Sequence, residues 1–275
     1  MENKIGLVAG IGRLPVEFVK AARSQGYRVV TIAVVDKVDD ELKLLSDGYY
    51  DINVMKLDKI IKTLKKEQIT QITMLGKVTK EVIFSKWFIP DFRLIKIIAK
   101  LPNRNDDTIT LALINEINKE GIQAMDQTLL LKQLFIPEGV YSRRVPDAAE
   151  QADIAYALKM AKAIGRYDIG QTVVVKDCAI IAVEAIEGTD KCILRGGQLT
   201  RGGAVVAKVA KPLQDSRFDM PTVGRETIEA MITAKAKVLV VEANRTLIVD
   251  FESTVALADK HGIAVVAERA DDCGE

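Results

Sequence analysis

The segment Arg28–Val35 is almost continuously apolar and β-branched, and it constrains the fold more than any other feature of the sequence. A strand of this kind is typical of a parallel sheet with both faces covered by helices. Before it come a short apolar strand, Ile5–Ala9, and a helix predicted from Pro15 to Gln25, with proline in its first turn and Gly26 after its end. This order of strand, helix and strand predicts an α/β fold.

The alternation of strands and helices continues along the chain, and the sequence pattern then changes. We predict helices near 39–46, 57–67 and 107–119 and a strand at Ile69–Leu75. Turn residues concentrate at 134–147, which indicates a boundary near 135–145 and two domains, 1–136 and 145–275. The second should contain helices at 147–164, 225–234 and 252–260 and strands at Thr172–Lys176, Ala179–Ala185, Val205–Val209, Lys237–Val241, Leu247–Phe251 and Ile263–Ala267. The expected class is α/β, a Rossmann-like parallel-sheet N-terminal domain followed by a mixed α/β domain.

Composition excludes several classes of protein. Lys plus Arg number 39 and Asp plus Glu 38, and this balance argues against a general nucleic-acid binder. The single histidine, His261, rules out a two-histidine metal centre and fits the end of a helix before Gly262. Three cysteines without a Cys-x-x-Cys spacing argue against a thiolate zinc site. Without a long apolar run or a leader pattern, we expect a soluble cytoplasmic protein.

A glycine pair, Gly10-x-Gly12, stands between the first strand and the first helix. Glycine permits a sharp turn and lets a phosphate approach the free N–H groups at a helix N-terminus. Asp36 follows the second strand, where a dinucleotide-binding unit places its ribose-binding acid. Pro15 occupies the position of the third glycine, so a mononucleotide site or a simple tight turn fits better than a dinucleotide site.

Several charged clusters could carry chemistry. Asp106 and Asp107 open a helix, where they could cap it or face a divalent metal or a hydroxyl-rich ligand. Three further carboxylates surround a glycine turn in the second domain: Glu184, Glu187 and Asp190. Cations follow them at Arg195-Gly196-Gly197, Arg201-Gly202-Gly203, Lys208 and Lys211. Glycine pairs beside arginine could let backbone and guanidinium bind a phosphate together, although flexible loops have the same composition.

Asp219 precedes a proline-containing turn that leads into the helix predicted from Arg225. A carboxylate at a helix N-terminus could ligate a metal or orient a water beside bound phosphate. It could also simply cap the helix, a task that Thr222 could perform instead. In the first domain, the basic and aromatic stretch Phe84–Leu101 contains Trp87. It predicts core packing or, alternatively, contact with a membrane surface or an acyl chain.

Taken together, several of these motifs resemble one family, the LpxI-type UDP-2,3-diacylglucosamine pyrophosphatases of lipid A biosynthesis. The resemblance runs from about residue 4 to 268. It is carried by Gly6–Pro15, Gly76-Lys77-Val78, Asp106-Asp107-Thr108, Asp168–Val174, Glu184–Asp190 and Asp219–Gly224. Cys178 and Asn244 stand where glycine is expected, and asparagine tolerates left-handed backbone angles.

The resemblance implies a hydrolase that depends on Mg²⁺, with Mn²⁺ as an alternative, and splits UDP-2,3-diacylglucosamine into UMP and 2,3-diacylglucosamine 1-phosphate (lipid X). It implies a homodimer with peripheral contact at the inner face of the inner membrane, the nucleotide near the first domain and the lipid near the second. The expected catalytic residues are Asp219, Glu187 and Asp190, and the expected metal ligands are Asp219 and Asp190. The expected substrate-binding residues are Gly10, Gly12, Leu14, Pro15, Lys77, Asp106, Asp107, Thr108, Gln171, Thr172, Glu184, Gly188, Thr189, Arg195, Lys208 and Gly224.

Two other classes of function remain open at this point. A nucleotide-dependent oxidoreductase would depend on Gly10, Gly12 and Asp36, and binding of NAD would distinguish it. A non-catalytic nucleotide sensor would depend on the same loop, and it would release no UMP from the substrate in the presence of Mg²⁺.

Overall fold

A computed structural model gives the fold and describes residues 3–78, 89–102, 106–212, 217 and 220–271, with the backbone alone for 106 and 107. The chain forms two compact units. Unit 1 comprises the described residues up to Leu131 together with Arg217, and unit 2 comprises the other described residues from Lys132 onward.

Unit 1 is a five-stranded parallel sheet with helices between its strands. The order is β3-β2-β1-β4-β5, with β1 at the position where the chain changes direction across the sheet. Its elements are β1 (Lys4–Ala9), α1 (Leu14–Ser24), β2 (Arg28–Ala33), α2 (Glu41–Leu45), β3 (Gly48–Asp51), α3 (Leu57–Lys66), β4 (Gln71–Leu75), α4 (Phe92–Ile98), α5 (Asp106–Lys119) and β5 (Gln123–Ala124). The Rossmann-like parallel sheet predicted from the apolar strands is confirmed.

Unit 2 is built on a mixed six-stranded sheet of order β6-β13-β11-β9-β7-β8. Strands β9, β11 and β13 are parallel, whereas β6, β7 and β8 join by antiparallel pairing. Its elements are β6 (Gly139–Val140), α6 (Ala148–Arg166), β7 (Thr172–Lys176), β8 (Ala179–Val183), α7 (Thr189–Thr200), β9 (Val205–Lys208), β10 (Thr222–Val223), α8 (Arg225–Ala234), β11 (Val238–Glu242), β12 (Leu247–Ile248), α9 (Phe251–Lys260) and β13 (Ala264–Glu268). The predicted mixed α/β domain is confirmed.

Apolar side chains cover both faces of the unit 2 sheet, which explains its nearly continuous apolar strands. Successive residues of a strand point to opposite faces. Val238 and Val240 of β11 belong to the core that also contains residues of α6, whereas Leu239 and Val241 belong to the core shared with α7, α8 and α9. Among the helices of the described residues, none is long and apolar enough to cross a membrane.

Several elements differ from the sequence-based prediction, and three of them have a clear physical reason. The Arg-Gly-Gly stretch at 195–197 lies within helix α7, although its glycines indicated a loop. The predicted strand Leu247–Phe251 is only the two-residue β12, because the backbone turns left-handed at Asp250 (φ 46°) and α9 begins at Phe251. Strand β3 was not predicted, since Gly48-Tyr49-Tyr50-Asp51 is short and only half-buried.

Candidate functional site

In unit 1, the predicted glycine loop lies between the carboxyl ends of β1 and β4, where a parallel sheet of this topology has a crevice. The two loops that follow these strands are joined by their backbones. Ile11 N donates to the Lys77 carbonyl at 2.9 Å, and Lys77 N donates to the Ile11 carbonyl at 2.8 Å. A backbone pairing of this kind fixes the shape of the crevice without using any side chain.

Gly10 and Gly12 have different physical roles in this loop. A Cβ on Gly10 would lie 2.6 Å from the Lys77 carbonyl oxygen, so glycine is required there for close packing. Gly12 has a φ of +115° and open space where a Cβ would be. Its surroundings, at the start of α1, leave room for a ligand to approach the backbone.

Arg13, the N-cap of α1, is paired with acids of the neighbouring segment. Its guanidinium lies 3.0 Å from Asp39 and is also hydrogen-bonded to Glu41. Hydrogen bonds from Lys20 and then from Arg13 lower the pKa of Glu41 below its usual range. These partners hold Arg13 against α2, so the N–H groups at the start of α1 remain the main attraction for an anion.

The remaining unit 1 predictions are distributed around this edge. Leu14 and the buried Pro15 form the first turn of α1, while Lys77 is exposed after β4. The helix predicted to open at Asp106-Asp107 does begin at Asp106, and Thr108 in its first turn is half-buried. The side chains of Asp106 and Asp107 lie outside the described part of the structure.

In unit 2, five predicted substrate-binding residues come together at one end of the sheet. Thr172 opens β7 and is the register partner of Lys208 at the end of the antiparallel β9. Glu184 follows β8 and donates its backbone N–H to the Thr172 carbonyl at 2.9 Å. Thr189 begins α7, and Gln171 precedes Thr172. We call Gln171, Thr172, Glu184, Thr189 and Lys208 the polar cluster.

Hydrogen bonds connect the polar cluster away from water. Thr189 Oγ1 donates to Glu184 Oε1 at 3.0 Å and accepts from Lys208 Nζ at 3.1 Å. Lys208 Nζ also donates to the Thr222 carbonyl at 2.8 Å. Glu184, Thr189 and Lys208 are 7%, 8% and 6% exposed. Burying a charged group is costly unless it is paired, so this arrangement of ammonium, hydroxyl and carboxylate is strongly specified.

Gln171 contributes an acceptor to which no described residue donates. Its Oε1 atom is buried, and within the described part of the chain it has no hydrogen-bond partner. Gly170 allows this placement, because a Cβ there would lie 2.2 Å from the Glu184 carbonyl oxygen. An orphaned buried acceptor favours a ligand that donates a hydrogen bond.

Glu187 and Arg195, predicted as separate catalytic and binding groups, are partners of each other. Arg195 Nη2 forms an ion pair with Glu187 and also donates to the Val183 carbonyl at 2.8 Å. The hydrogen bond from Arg195 lowers the pKa of Glu187, and a hydrogen bond from the backbone N–H of Glu187 itself lowers it further. Its second oxygen accepts from Ala185 N at 3.1 Å. This carboxylate therefore stabilises the turn before α7.

Several glycines of unit 2 provide close packing. A Cβ on Gly196 would lie 2.7 Å from Val174, and one on Gly197 would lie 2.5 Å from Ala234. The alternative of a flexible loop is therefore wrong for this glycine pair, which lies within α7 and brings that helix against β7 and α8. Gly224, the N-cap of α8, packs on Val249 in the same way, whereas Gly188 has a φ of +83° and open surroundings.

Asp219, the predicted catalytic residue, lies outside the described residues, as do Trp87 and its aromatic neighbours Phe84 and Phe88. Asp190 is half-buried in the first turn of α7. In the described ranges, no three His, Cys, Asp or Glu side chains gather closely enough to hold a metal ion. The carboxylate oxygens of this edge are nevertheless hard donors of the type that Mg²⁺ takes, usually one or two together with substrate phosphates.

Two buried carboxylates were not predicted from the sequence. Glu242 at the end of β11 pairs with Lys162 of α6. Asp153 accepts from the backbone N–H groups of Asp177 and Cys178, at 3.0 and 2.6 Å. Both residues of this β7–β8 turn are left-handed, with φ of 53° and 55°, which explains the expectation of glycine at Cys178. No local pattern indicated either carboxylate, because the groups that each one binds are remote in the chain.

Comparison with known proteins places these features in one family. The LpxI N-terminal domain matches residues 4–134, and the LpxI C-terminal domain matches residues 137–266. A UDP-2,3-diacylglucosamine pyrophosphatase LpxI from Caulobacter vibrioides is 33% identical over 275 aligned positions, which cover 96% of this chain and 97% of that protein.

Among solved structures, a UDP-glucose-4-epimerase from Stenotrophomonas maltophila matches 98% of this chain and 95% of its own, with 10% identity and a TM-score of 0.33. A phosphoribosylglycinamide synthetase from Anaerococcus prevotii matches 70% of this chain and 34% of its own, with 12% identity and a TM-score of 0.27. The two domain matches span nearly the whole chain, and on this basis the protein belongs to the LpxI family.

Proposed function

We propose that this protein hydrolyses the pyrophosphate of UDP-2,3-diacylglucosamine to UMP and 2,3-diacylglucosamine 1-phosphate in lipid A biosynthesis. The relative from Caulobacter vibrioides carries that activity in its name and aligns with almost the whole chain. The observation that carries the proposal is the polar cluster, in which the side chains of four residues expected to bind substrate share one buried network and Gln171 lies beside it.

The chemistry of the polar cluster suits a phosphorylated sugar. The Lys208 ammonium lies beside Thr189 at the N-terminus of α7, and both features attract a phosphate. The buried Gln171 Oε1 suits a hydroxyl or amide N–H on the substrate. Hydrolysis adds one water across the P–O–P bridge, so one phosphate leaves on UMP and the other on the lipid product.

Asp219 is the residue that we assign to the chemical step, as a base or orienting group for the attacking water. Asp190 and Asp219 are the proposed ligands of Mg²⁺, with Mn²⁺ as an alternative. A divalent ion, when bound, would neutralise charge on the pyrophosphate oxygens. The cationic Lys208 and the start of α7 would bind and orient the phosphate from the side of the polar cluster.

Helix α4 is the proposed contact of unit 1 with the inner face of the inner membrane. Ile89, Phe92 and Ile95 are 75%, 81% and 47% exposed, and Lys96 and Lys100 are exposed close by in sequence. Apolar side chains beside lysines are typical of a surface that meets anionic lipids. A Phe92→Asp variant should sediment less with vesicles that contain anionic lipid, and unchanged sedimentation would contradict this contact.

A cytoplasmic homodimer is the form that we propose for the working enzyme. The LpxI resemblance supports this assembly, and light scattering during size-exclusion chromatography would test it. A monomeric mass at the concentration of the hydrolysis assay would contradict the dimer and leave the hydrolysis proposal intact.

The decisive experiment measures UMP release from UDP-2,3-diacylglucosamine in detergent micelles, with Mg²⁺, with excess EDTA and after Mg²⁺ is restored. We expect hydrolysis with Mg²⁺, none in EDTA and recovery on restoration. Full activity in EDTA would overturn the metal requirement alone. No UMP release under any condition would overturn the hydrolase proposal and favour a nucleotide sensor, or an oxidoreductase if the protein binds NAD.

Asp219→Ala provides the second arm of that experiment. Removing a group that acts mainly in the transition state should abolish most turnover and leave substrate binding intact. If Asp219 only caps a helix, the variant should lose about 1 kcal/mol of stability and retain activity. A variant that melts early but hydrolyses normally would transfer the role to Glu184, Glu187 or Asp190.

A further inference from the structure

A fully buried ion pair joins α6 to the end of β11. Lys162 Nζ lies 2.9 Å from Glu242 Oε1, and the two residues are 1% and 3% exposed. Arg245, partly exposed, adds a second cation 3.6 Å from the same oxygen. Neither Lys162 nor Glu242 belongs to the polar cluster, and neither was expected to touch substrate.

The pair holds one peptide segment by both of its polar groups. Ala210 N donates to Glu242 Oε2 at 2.8 Å, and Lys162 Nζ donates to the Ala210 carbonyl at 3.2 Å. The preceding residue is also fixed, because Val209 N donates to the Gln171 carbonyl at 3.0 Å. The backbone directly after β9 is therefore fixed by side chains from two other elements.

Lys208 depends on this backbone for its position. It is the last residue of β9, two residues before Ala210, and its Nζ must reach both Thr189 and the Thr222 carbonyl. Burial of an ion pair is a poor source of stability, since apolar side chains of similar volume often do as well. A role in geometry accounts better for two charges at this position.

We propose that Lys162 and Glu242 are positioning residues that hold segment 208–211 so that the Lys208 ammonium faces Thr189. The inference rests on the proposed function, because it assigns the value of this geometry to substrate turnover. A displacement of about 1 Å at a reacting group can cost up to roughly 100-fold in rate.

Two double variants separate positioning from simple stability. Lys162→Met/Glu242→Gln and Lys162→Met/Glu242→Leu both remove both charges, so neither leaves a lone buried charge opposite its partner. Both lose the Lys162 bond to the Ala210 carbonyl, and only the glutamine variant keeps an acceptor for Ala210 N–H. The measurements are melting temperature, amide hydrogen exchange across 207–212, and kcat and KM for UMP release.

In the leucine variant we expect faster exchange at 209–211 and a kcat reduced about tenfold, with KM changed less, because the chemistry loses its geometry before binding is lost. In the glutamine variant, which keeps the acceptor for Ala210 N–H but lacks the Lys162 ammonium, exchange and kcat should change less than in the leucine variant. If the leucine variant melts below the assay temperature, Lys162→Leu/Glu242→Met replaces it, since methionine adapts to irregular space.

Faster exchange with an unchanged kcat would overturn the positioning role, and unchanged exchange in the leucine variant would overturn the hold on Ala210. Equal loss of kcat in both double variants would show that the bond from Ala210 N to Glu242 does not position Lys208, and would overturn the positioning role of Glu242. Absence of UMP release from the unaltered protein would instead overturn the proposed function, while the exchange comparison would still test the hold on segment 208–211.

Discussion

The glycine loop of unit 1 and the polar cluster of unit 2 are built from different parts of the chain. In the loop, backbone groups define the surface, through the Ile11–Lys77 pairing and the open space at Gly12. In the polar cluster, buried side chains define it, through the bonds among Glu184, Thr189 and Lys208. Ligand binding at a surface made of backbone groups should weaken when side-chain atoms are added. Function at a site made of side chains should instead be lost when those side chains are removed.

The largest expected effect is the removal of an ammonium group from the polar cluster. Lys208→Met keeps the length of the side chain but leaves Thr189 and the Thr222 carbonyl without their donor. Loss of one preorganised donor at a phosphate should lower kcat about 100-fold or more. The control is Lys176→Met at the opposite end of β7, where Lys176 donates to the Gly202 carbonyl at 3.0 Å. Comparable losses in both variants would refute a special role for Lys208.

A smaller effect is expected from Gly197→Ala, which tests whether a glycine of unit 2 serves packing. The new Cβ would lie 2.5 Å from Ala234, and such overpacking costs about 1–3 kcal/mol, partly offset by the better helix propensity of alanine. We expect a lower melting temperature and normal turnover in the folded fraction. Normal melting with lost turnover would instead favour binding of a phosphate by this glycine pair together with Arg195.

A glycine of the unit 1 loop should serve ligand binding, in contrast to Gly197, which serves packing. Gly12→Val adds a β-branched side chain at a φ of +115° and blocks backbone approach, so UMP affinity should fall about tenfold. Gly26→Val is a matched control, because Gly26 also has a positive φ (+81°) and open surroundings but follows the other end of α1. Both variants should lose stability, and only Gly12→Val should lose affinity by calorimetry. Equal UMP affinities of the two variants would indicate that the glycine loop is only a turn and does not bind the nucleotide.

The smallest effect concerns the turn between β7 and β8, at Cys178. Cys178→Gly relieves a left-handed residue with φ of +55° and should stabilise the protein by up to about 1 kcal/mol. Asn244→Gly, at φ of +58°, should gain less because asparagine tolerates this conformation. Thermal unfolding of the two variants compares the gains directly. A larger gain at Asn244 would contradict this explanation.

Local patterns predicted most of the elements, because periodicity and capping act over a few residues. The helix boundary at His261 and the left-handed backbone at Asn244 are both confirmed. Sequence patterns did not predict the role of a residue whose contact partner is remote in the chain. Gly197 looked like a loop residue because Ala234, which requires its small size, is far along the chain. Lys162 and Glu242 likewise gave no signal, since their pairing depends on how α6 lies against β11.

Strand β6 also has a consequence for how unit 2 is assembled during folding. As the first strand of the unit it pairs antiparallel with β13, the last, with Val140 opposite Val266. Such distant partners must wait until nearly every intervening element is in place, and contacts of long sequence separation slow folding. The strands of unit 1 pair within a single stretch of chain. During synthesis, unit 1 should therefore acquire its sheet early, while the strands of unit 2 depend longest on protection from aggregation.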